Sequence, residues 1–212
     1  MLGRKRVNEA LALMGEMFPN AHGELEWKTP FQLLVAVILS AQTTDKAVNK
    51  ITPGLWARYP EIEDLASANL DDVEMCLRTI GLYKNKAKNI ISCCRDLMER
   101  FGGEVPESIE DLTSLAGVGR KTANVIRGNI YNEPSIVVDT HVKRISKKLG
   151  LTKADDPEKV EYELMEVLPK DHWILWNIHI ITLGRTICTA RNPKCSQCFL
   201  RELCPSAGGM KG

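Results

Sequence analysis

The chain has 212 residues, of which 44% are hydrophobic and 26% charged, and its formal net charge is +1 at pH 7. This composition is typical of a globular protein and excludes a disordered or membrane-like chain, while the net charge by itself does not indicate nucleic acid. No apolar stretch approaches the ~20 residues needed to cross a bilayer, and the N-terminus lacks the apolar segment of a secretion signal. We therefore expect a cytoplasmic protein with one or two hydrophobic cores.

Two helices are predicted in the first part of the chain. Residues 7–18 place their apolar side chains on one face, as in an amphipathic helix. Thr29, Pro30 and Gln32 have the pattern of an N-cap, a first helical residue and a capping-box residue. The following residues, 33–39, are apolar on every side, so we place this second helix at the centre of a core.

Two loop residues and a lysine run come next. Gln42 lies in the polar loop 40–45, and from the residues alone it is a solvated amide. A helix over 70–79 leads into a short loop that holds Leu82, and an apolar loop residue usually packs into the nearest core. Another helix follows over 84–101. Its first turns carry three alternating lysines, which are typical of a solvated face or of an edge that binds phosphates: Lys84, Lys86 and Lys88.

Residues 115–141 contain the strongest local pattern. Gly117 and Gly119 flank Val118, and helical periodicity is found on both sides, over 108–115 and 120–131. The pattern predicts a helix-hairpin-helix whose turn presents bare backbone N–H groups to an anion such as a phosphate. A plain structural corner between packed helices is the alternative.

Lys121 is a candidate nucleophile. It lies in the opening turn of the second hairpin helix, where the helix dipole disfavours an ammonium. Arg120 beside it and partial burial would act in the same direction and favour the neutral amine, which is the nucleophilic form. An ordinary solvated lysine is the alternative.

Asp139 is a candidate acid or base. It follows the β-branched run 136–138 and precedes a helix that Gly150 would end, so it is first of all an N-cap. A carboxylate fixed at a helix start can also serve a neighbouring reaction centre. The run 136–138 is too short to start a sheet, and no strand–helix alternation is present, so the predicted fold class is all-α.

Seven cysteines are present, and four of them crowd together near the C-terminus. Without an export signal, a metal centre is more plausible there than disulfides. Zinc and a [4Fe-4S] cluster both accept four thiolates, and spacing alone does not separate them. The other three are predicted to be small buried hydrophobes: Cys76, Cys93 and Cys94.

These motifs together resemble a known family. They are L-A-G-V-G-R-K-T-A-N-V-I at 115–126, V-D-T-H-V at 138–142 and C-x6-C-x2-C-x5-C at 188–204. In order and spacing, over almost the whole chain, the sequence resembles the endonuclease III family of DNA glycosylases with an associated lyase activity. One departure is Ala116, where the family often has proline, and it leaves the hairpin glycines untouched.

The resemblance implies a fold, a cofactor and an activity. The fold has a helical bundle domain with the hairpin, residues 25–133, and a cluster domain made of 1–24 and 134–212, with a cleft between them. The cofactor is a [4Fe-4S] cluster. The activity is base excision repair: the enzyme removes oxidised pyrimidines from double-stranded DNA, acts at abasic sites and cleaves the strand by β-elimination. A monomer associated with the nucleoid is expected.

The resemblance also implies roles for single residues. Lys121 attacks the sugar and forms a Schiff base, and Asp139 faces it across the cleft and assists. Gln42 and Leu82 enter the duplex at the place of the extruded base. The remaining DNA contacts implied are Gly117, Val118, Gly119, His141, Arg191 and Lys194. The implied cluster ligands are Cys188, Cys195, Cys198 and Cys204.

Two other readings stay open at the level of sequence. One is a monofunctional glycosylase of the same superfamily, in which water attacks; Lys121 and the absence of a glutamate in the apolar run 35–39 argue against it. The other is a non-enzymatic DNA-binding module with a structural zinc. Visible absorbance of the purified protein would exclude zinc, and turnover on a thymine-glycol duplex would exclude a mere binder.

Overall fold

The computed structural model describes residues 4–207, and no strand occurs in that range. The all-α prediction is confirmed. The helices are α1 (Arg4–Met17), α2 (Pro30–Ser40), α3 (Asp45–Arg58), α4 (Ile62–Ala66), α5 (Leu70–Leu77), α6 (Tyr83–Phe101), α7 (Ile109–Ser114), α8 (Arg120–Ile130), α9 (Thr140–Lys148), α10 (Pro157–Val167) and α11 (Trp173–Thr186). Short 3-10 turns lie at Lys170–His172, Cys195–Gln197 and Arg201–Leu203.

The chain divides into two compact units. One is Glu24–Glu133, and the other combines the segment before it with the chain from Pro134 onward. The first unit holds α2 to α8, and the second holds α1, α9, α10, α11 and the cysteine-rich segment.

Helix α2 forms the centre of the Glu24–Glu133 core, as predicted. Its residues from Phe31 to Leu39 are all buried. Thr29 is the N-cap, and its Oγ1 accepts the N–H of Gln32 at 3.2 Å. The reciprocal bond differs from the predicted capping box, because Gln32 Oε1 accepts the N–H of Lys28 at 2.9 Å instead of that of the cap residue.

The later helices of this unit match the predicted positions closely. Asn69 caps α5 through the N–H of Asp71. The helix ends at Leu77, two residues before the predicted end. Between α3 and α5 lies a helix that the sequence analysis did not predict, α4, whose start is closed by a reciprocal Glu61–Asp64 capping box. Such a short helix carries too few residues to show a periodicity.

The second unit is built around a core that α1, α9, α10 and α11 share. Large buried side chains include Met14, Ile145, Leu164 and Trp176. Met17, which the amphipathic pattern put on the inner face of α1, is 50% exposed at the end of the helix, so that prediction is wrong. No helix in residues 4–207 is long and apolar enough to span a membrane.

Candidate functional site

The predicted helix-hairpin-helix is present in α7 and α8. Ser108 caps α7, and Gly119 is the N-cap residue of α8. The two hairpin glycines differ in what they require. Gly117 has a φ of 79°, and a Cβ there would lie 3.0 Å from both Cβ and Nδ2 of Asn89. Gly119 has an extended φ of −95°, and a Cβ there would meet nothing within 4 Å. Only Gly117 needs to be glycine for steric reasons.

Val118 differs from its two neighbours. Its side chain is only 6% exposed and belongs to the core of the Glu24–Glu133 unit. Its N–H donates to the carbonyl of Leu115 at 3.1 Å. Both groups are engaged within the protein in this conformation, and the DNA contact expected of Val118 stays a prediction. Its side chain instead anchors the turn to the core.

Lys121 is the second residue of α8, next to the helix N-terminus. Its side chain is exposed, so the partial burial expected from the sequence is not found. Within residues 24–133 its amine makes no hydrogen bond or ion pair. The amine is thus free to meet a ligand beside the N–H groups of the first helical turn, where partial positive charge collects.

Gln42 and Leu82 share an unusual backbone conformation. Their φ angles are 54° and 58°, in the left-handed region that favours glycine. Both side chains are exposed, and Leu82 retains 55% of its accessible surface. The expectation that Leu82 packs into the nearest core is therefore wrong. The left-handed backbone at Leu82 costs free energy, and its exposed side chain gains none from core packing. Packing therefore does not explain this conformation.

The lysine run of α6 does not form one face. Lys84 and Lys88 are exposed, whereas Lys86 is buried, with 4% of its surface accessible. Its Nζ donates to Thr43 Oγ1 at 2.5 Å. Burial lowers the pKa of Lys86 from its usual value. The structure therefore corrects the expectation that Lys86 binds phosphates.

Asp139 is the N-cap of α9, as predicted. Its side chain is half-buried, and its Oδ1 accepts the N–H of Val142 at 2.7 Å. This bond fixes the carboxylate relative to the helix axis. Lys121 belongs to the other unit, so the pairing of the two residues in one site stays a prediction from the resemblance.

His141 lies on the first turn of α9 and packs against α11. A Cβ at Gly184 would lie 2.3 Å from His141 Nδ1, so the missing side chain makes room for the imidazole. Arg144 Nη2 is 3.4 Å from the same nitrogen, and Arg144 Nη1 donates to the carbonyl of Cys188 at 2.7 Å. Sequence reasoning missed Arg144 and Gly184, because only the packing of α9 on α11 reveals them.

The four C-terminal cysteines come together as predicted. None of them is in a disulfide, and all four line one largely apolar cavity: Cys188, Cys195, Cys198 and Cys204. Burial is the main reason that the pKa of Cys198 is raised. In the described part of the chain, no three His, Cys, Asp or Glu side chains are arranged to hold a single metal ion. Four thiols that line one cavity are the donor set that a [4Fe-4S] cluster requires, with one thiolate for each iron.

The loop between the first two of these cysteines is short and closed. Thr189 Oγ1 donates to the carbonyl of Asn192 at 2.7 Å. The N–H of Lys194 donates to the carbonyl of Ile187 at 2.9 Å. Arg191 and Lys194 are both exposed on it. Because these hydrogen bonds fix the loop backbone, the two cationic side chains project from a defined loop conformation.

Of the three remaining cysteines, Cys93 and Cys94 are buried in α6, as predicted. Cys76 is only half-buried. Burial raises the pKa of Cys93 to about 12, so its thiol stays protonated. These residues belong to the core of the Glu24–Glu133 unit and not to a metal site.

Comparison with known proteins agrees with this arrangement. Residues 35–170 match the family described as HhH-GPD superfamily base excision DNA repair protein, and residues 188–204 match the iron-sulfur binding domain of endonuclease III. The chain is 47% identical to an endonuclease III of Synechocystis sp. and 43% identical to one of Bacillus subtilis, in each case over 96% of this chain and 94% of the relative.

Solved structures agree as well. A trapped endonuclease III–DNA covalent intermediate, an estranged-adenine complex, matches with a TM-score of 0.92 at 43% identity, over 99% of both chains. A non-covalent endonuclease III–DNA complex matches with the same TM-score and identity. The chain therefore belongs to the endonuclease III family of base excision repair enzymes, DNA glycosylases with AP lyase activity that carry a [4Fe-4S] cluster.

Proposed function

We propose that the protein acts on double-stranded DNA that contains oxidised pyrimidines or abasic sites, with Lys121 as its nucleophile. The observation that carries this proposal is the free, exposed amine of Lys121 at the N-terminus of α8, directly after the hairpin turn. The trapped covalent DNA intermediate of a 43% identical relative supports a nucleophile of this kind. Oxidised pyrimidines are the substrate class that the resemblance implies.

Access to the damaged nucleotide requires base flipping, because the target atom is out of reach inside the duplex. Unpairing and unstacking cost a few kcal/mol, and side chains that fill the vacated space offset part of that cost. Gln42 and Leu82 are suited to this task, since both are exposed and both project from backbone in a left-handed conformation. An amide can hydrogen-bond the orphaned base, and a leucine can wedge between bases. We call these two the inserting residues.

Chemistry begins with the neutral form of the Lys121 amine. Its lone pair attacks C1′ of the sugar, and the glycosidic bond breaks so that the base leaves. Ring opening gives a Schiff base between Nζ and C1′. Loss of a proton from C2′ then expels the 3′ phosphate and cuts the strand.

Asp139 assists this step. Its Oδ1 is engaged by the N–H of Val142, which leaves Oδ2 to accept a proton or to stabilise the positive charge that develops on the sugar.

Several groups would hold the DNA backbone. The amides at the start of α8 form an anion site, and His141, Arg191 and Lys194 contribute side chains. Cys188, Cys195, Cys198 and Cys204 would hold the [4Fe-4S] cluster. When bound, the cluster supplies rigidity to a segment with little core of its own, so that the basic loop keeps its shape. We expect the protein to be a monomer associated with the nucleoid.

The test uses a duplex with a single thymine glycol and borohydride reduction. Wild-type protein should cleave the strand and form a trapped protein–DNA adduct, whereas Lys121→Ala should lose both and still bind the duplex. Lys50→Ala, which removes another exposed lysine of the same unit, is the matched control and should behave as wild type.

Three results would contradict the proposal. Trapping by Lys121→Ala at the wild-type rate would exclude this residue as the nucleophile. Base release by the wild-type protein without any adduct would favour the monofunctional glycosylase. No base release from lesion duplexes together with no strand cleavage of abasic duplexes would leave a binding module.

A further inference from the structure

A buried lysine connects the segments that carry the two inserting residues. Lys86 Nζ donates to Thr43 Oγ1, and Thr43 directly follows Gln42 in the loop after α2. The N–H of Lys86 donates to the carbonyl of Leu82, the N-cap residue of α6, at 3.0 Å. Both inserting residues are therefore within one residue or one helical turn of the same hydrogen bond.

The loop side of this bond is itself ordered. The N–H of Thr43 donates to the carbonyl of Ser40 at 3.0 Å, at the end of α2, and its hydroxyl is 3.5 Å from the carbonyl of Ala41. The hydroxyl can thus accept from the lysine and donate to the backbone. A left-handed residue such as Gln42 needs its neighbours to hold it, because its backbone conformation is disfavoured for residues that carry a Cβ.

Stability gives no reason for a lysine at this position. Confining its side chain costs rotamer entropy, and burying an ammonium costs further free energy. Its hydrogen-bond partner is a neutral hydroxyl, and such a bond offsets only part of the free energy lost on burial. An apolar residue of the same length would fill the same space in α6 without the desolvation penalty.

We propose that Lys86 is a positioning residue for damage recognition, which acts by fixing the loop of Gln42 against the start of α6. This inference rests on the proposed function, in which Gln42 and Leu82 insert into the duplex. With the bond in place, the two side chains enter DNA from backbone positions that are set before binding, so less ordering is needed at the moment of insertion. Lys86 itself does not touch DNA.

The experiment compares binding to two duplexes that differ in one nucleotide. One has a tetrahydrofuran abasic analogue, which the enzyme cannot cleave, and the other is undamaged. The damage preference is the ratio of the two dissociation constants. Lys86→Met keeps the apolar stem and removes the donor, and it should reduce the preference roughly tenfold, with little change on undamaged DNA and an unchanged salt slope. Its melting temperature should be equal to or above that of the wild type.

Variants of the partner make the test independent of how Lys86→Met folds. Thr43→Val should reduce the preference as Lys86→Met does, and Thr43→Ser, which retains the hydroxyl, should preserve it. In the Lys86→Met background, Thr43→Val should have no further effect, because the bond is already lost. Lys88→Met is the matched control. It removes an exposed lysine from the same helix and should weaken binding to both duplexes alike.

The possible outcomes are distinct. An unchanged preference in both Lys86→Met and Thr43→Val would overturn the inference and leave the proposed function intact. An equal loss of affinity for both duplexes, together with a lower melting temperature of the variant, would assign Lys86 a purely structural role. This result would also overturn the inference. A reduced salt slope for Lys86→Met would make Lys86 a phosphate contact and overturn the inference. A wild-type protein without damage preference would overturn the proposed function and this inference together.

Discussion

Replacing Gly117 by alanine tests the structure of the hairpin directly. The residue has a φ of 79°, and an L residue in the left-handed region costs about 1–2 kcal/mol. The new Cβ would also lie 3.0 Å from Cβ and Nδ2 of Asn89, and forcing such a contact in a packed region costs about 1 kcal/mol or more. We expect Gly117→Ala to lower the free energy of unfolding by about 2–3 kcal/mol.

Gly119→Ala is the matched control two residues away. The backbone there has φ −95° and ψ 176°, which any residue adopts, and no atom lies within 4 Å of the added Cβ. The cost should stay within about 0.5 kcal/mol, which is the loss of glycine as an N-cap residue. Urea denaturation followed by circular dichroism measures both variants.

A double variant separates the two causes. Asn89→Ala removes Nδ2 and Cγ but keeps Cβ, so together with Gly117→Ala it should recover only part of the steric loss and leave the backbone part, about 1–2 kcal/mol. Equal unfolding free energies for Gly117→Ala and Gly119→Ala, within about 0.5 kcal/mol, would refute the assigned geometry of the turn.

Three further predictions concern the basic loop, the buried lysine and the buried thiols. Arg191→Ala or Lys194→Ala should weaken DNA binding equally on all sequences and make the salt dependence shallower by about 0.9 per lost phosphate contact; an unchanged slope would remove the loop from the DNA surface. Because burial lowers the pKa of Lys86 below 10.5, the unfolded state binds more protons below that pH. Wild-type stability relative to Lys86→Met should therefore rise as the pH approaches 10.5 from below, and parallel profiles in denaturation series would contradict this. In iodoacetamide labelling of the folded holoprotein, Cys93 should stay unmodified while Cys76 reacts, and equal rates would argue against the burial of α6.

The sequence located most helix starts, because N-cap chemistry is local. Thr29, Asn69 and Asp139 each accept a backbone N–H of the following turn, as their residue types predict. The cysteine spacing likewise identified four thiols that line one cavity. Patterns that depend on neighbours in the chain were therefore readable without coordinates.

What the sequence did not reveal depends on tertiary packing or on backbone angles. Lys86 has the same residue type and helical context as Lys84 and Lys88, and only the packing against Thr43 distinguishes it. Nothing in the short loop before α6 indicates that Leu82 is held in a left-handed conformation with an exposed side chain. The deviations concentrate at positions that we assign to DNA recognition, where local rules are expected to give way to function.

The covalent bond between protein and DNA is the most direct test of the proposed mechanism. Wild-type protein is incubated with an abasic duplex, and the Schiff base is reduced with borohydride. The adduct is then digested with trypsin and analysed by mass spectrometry. The sugar remnant should be found on Lys121, and trypsin should not cleave after that residue in the adduct, because its amine is blocked. A remnant on any other amine, including the N-terminus, would contradict the assignment.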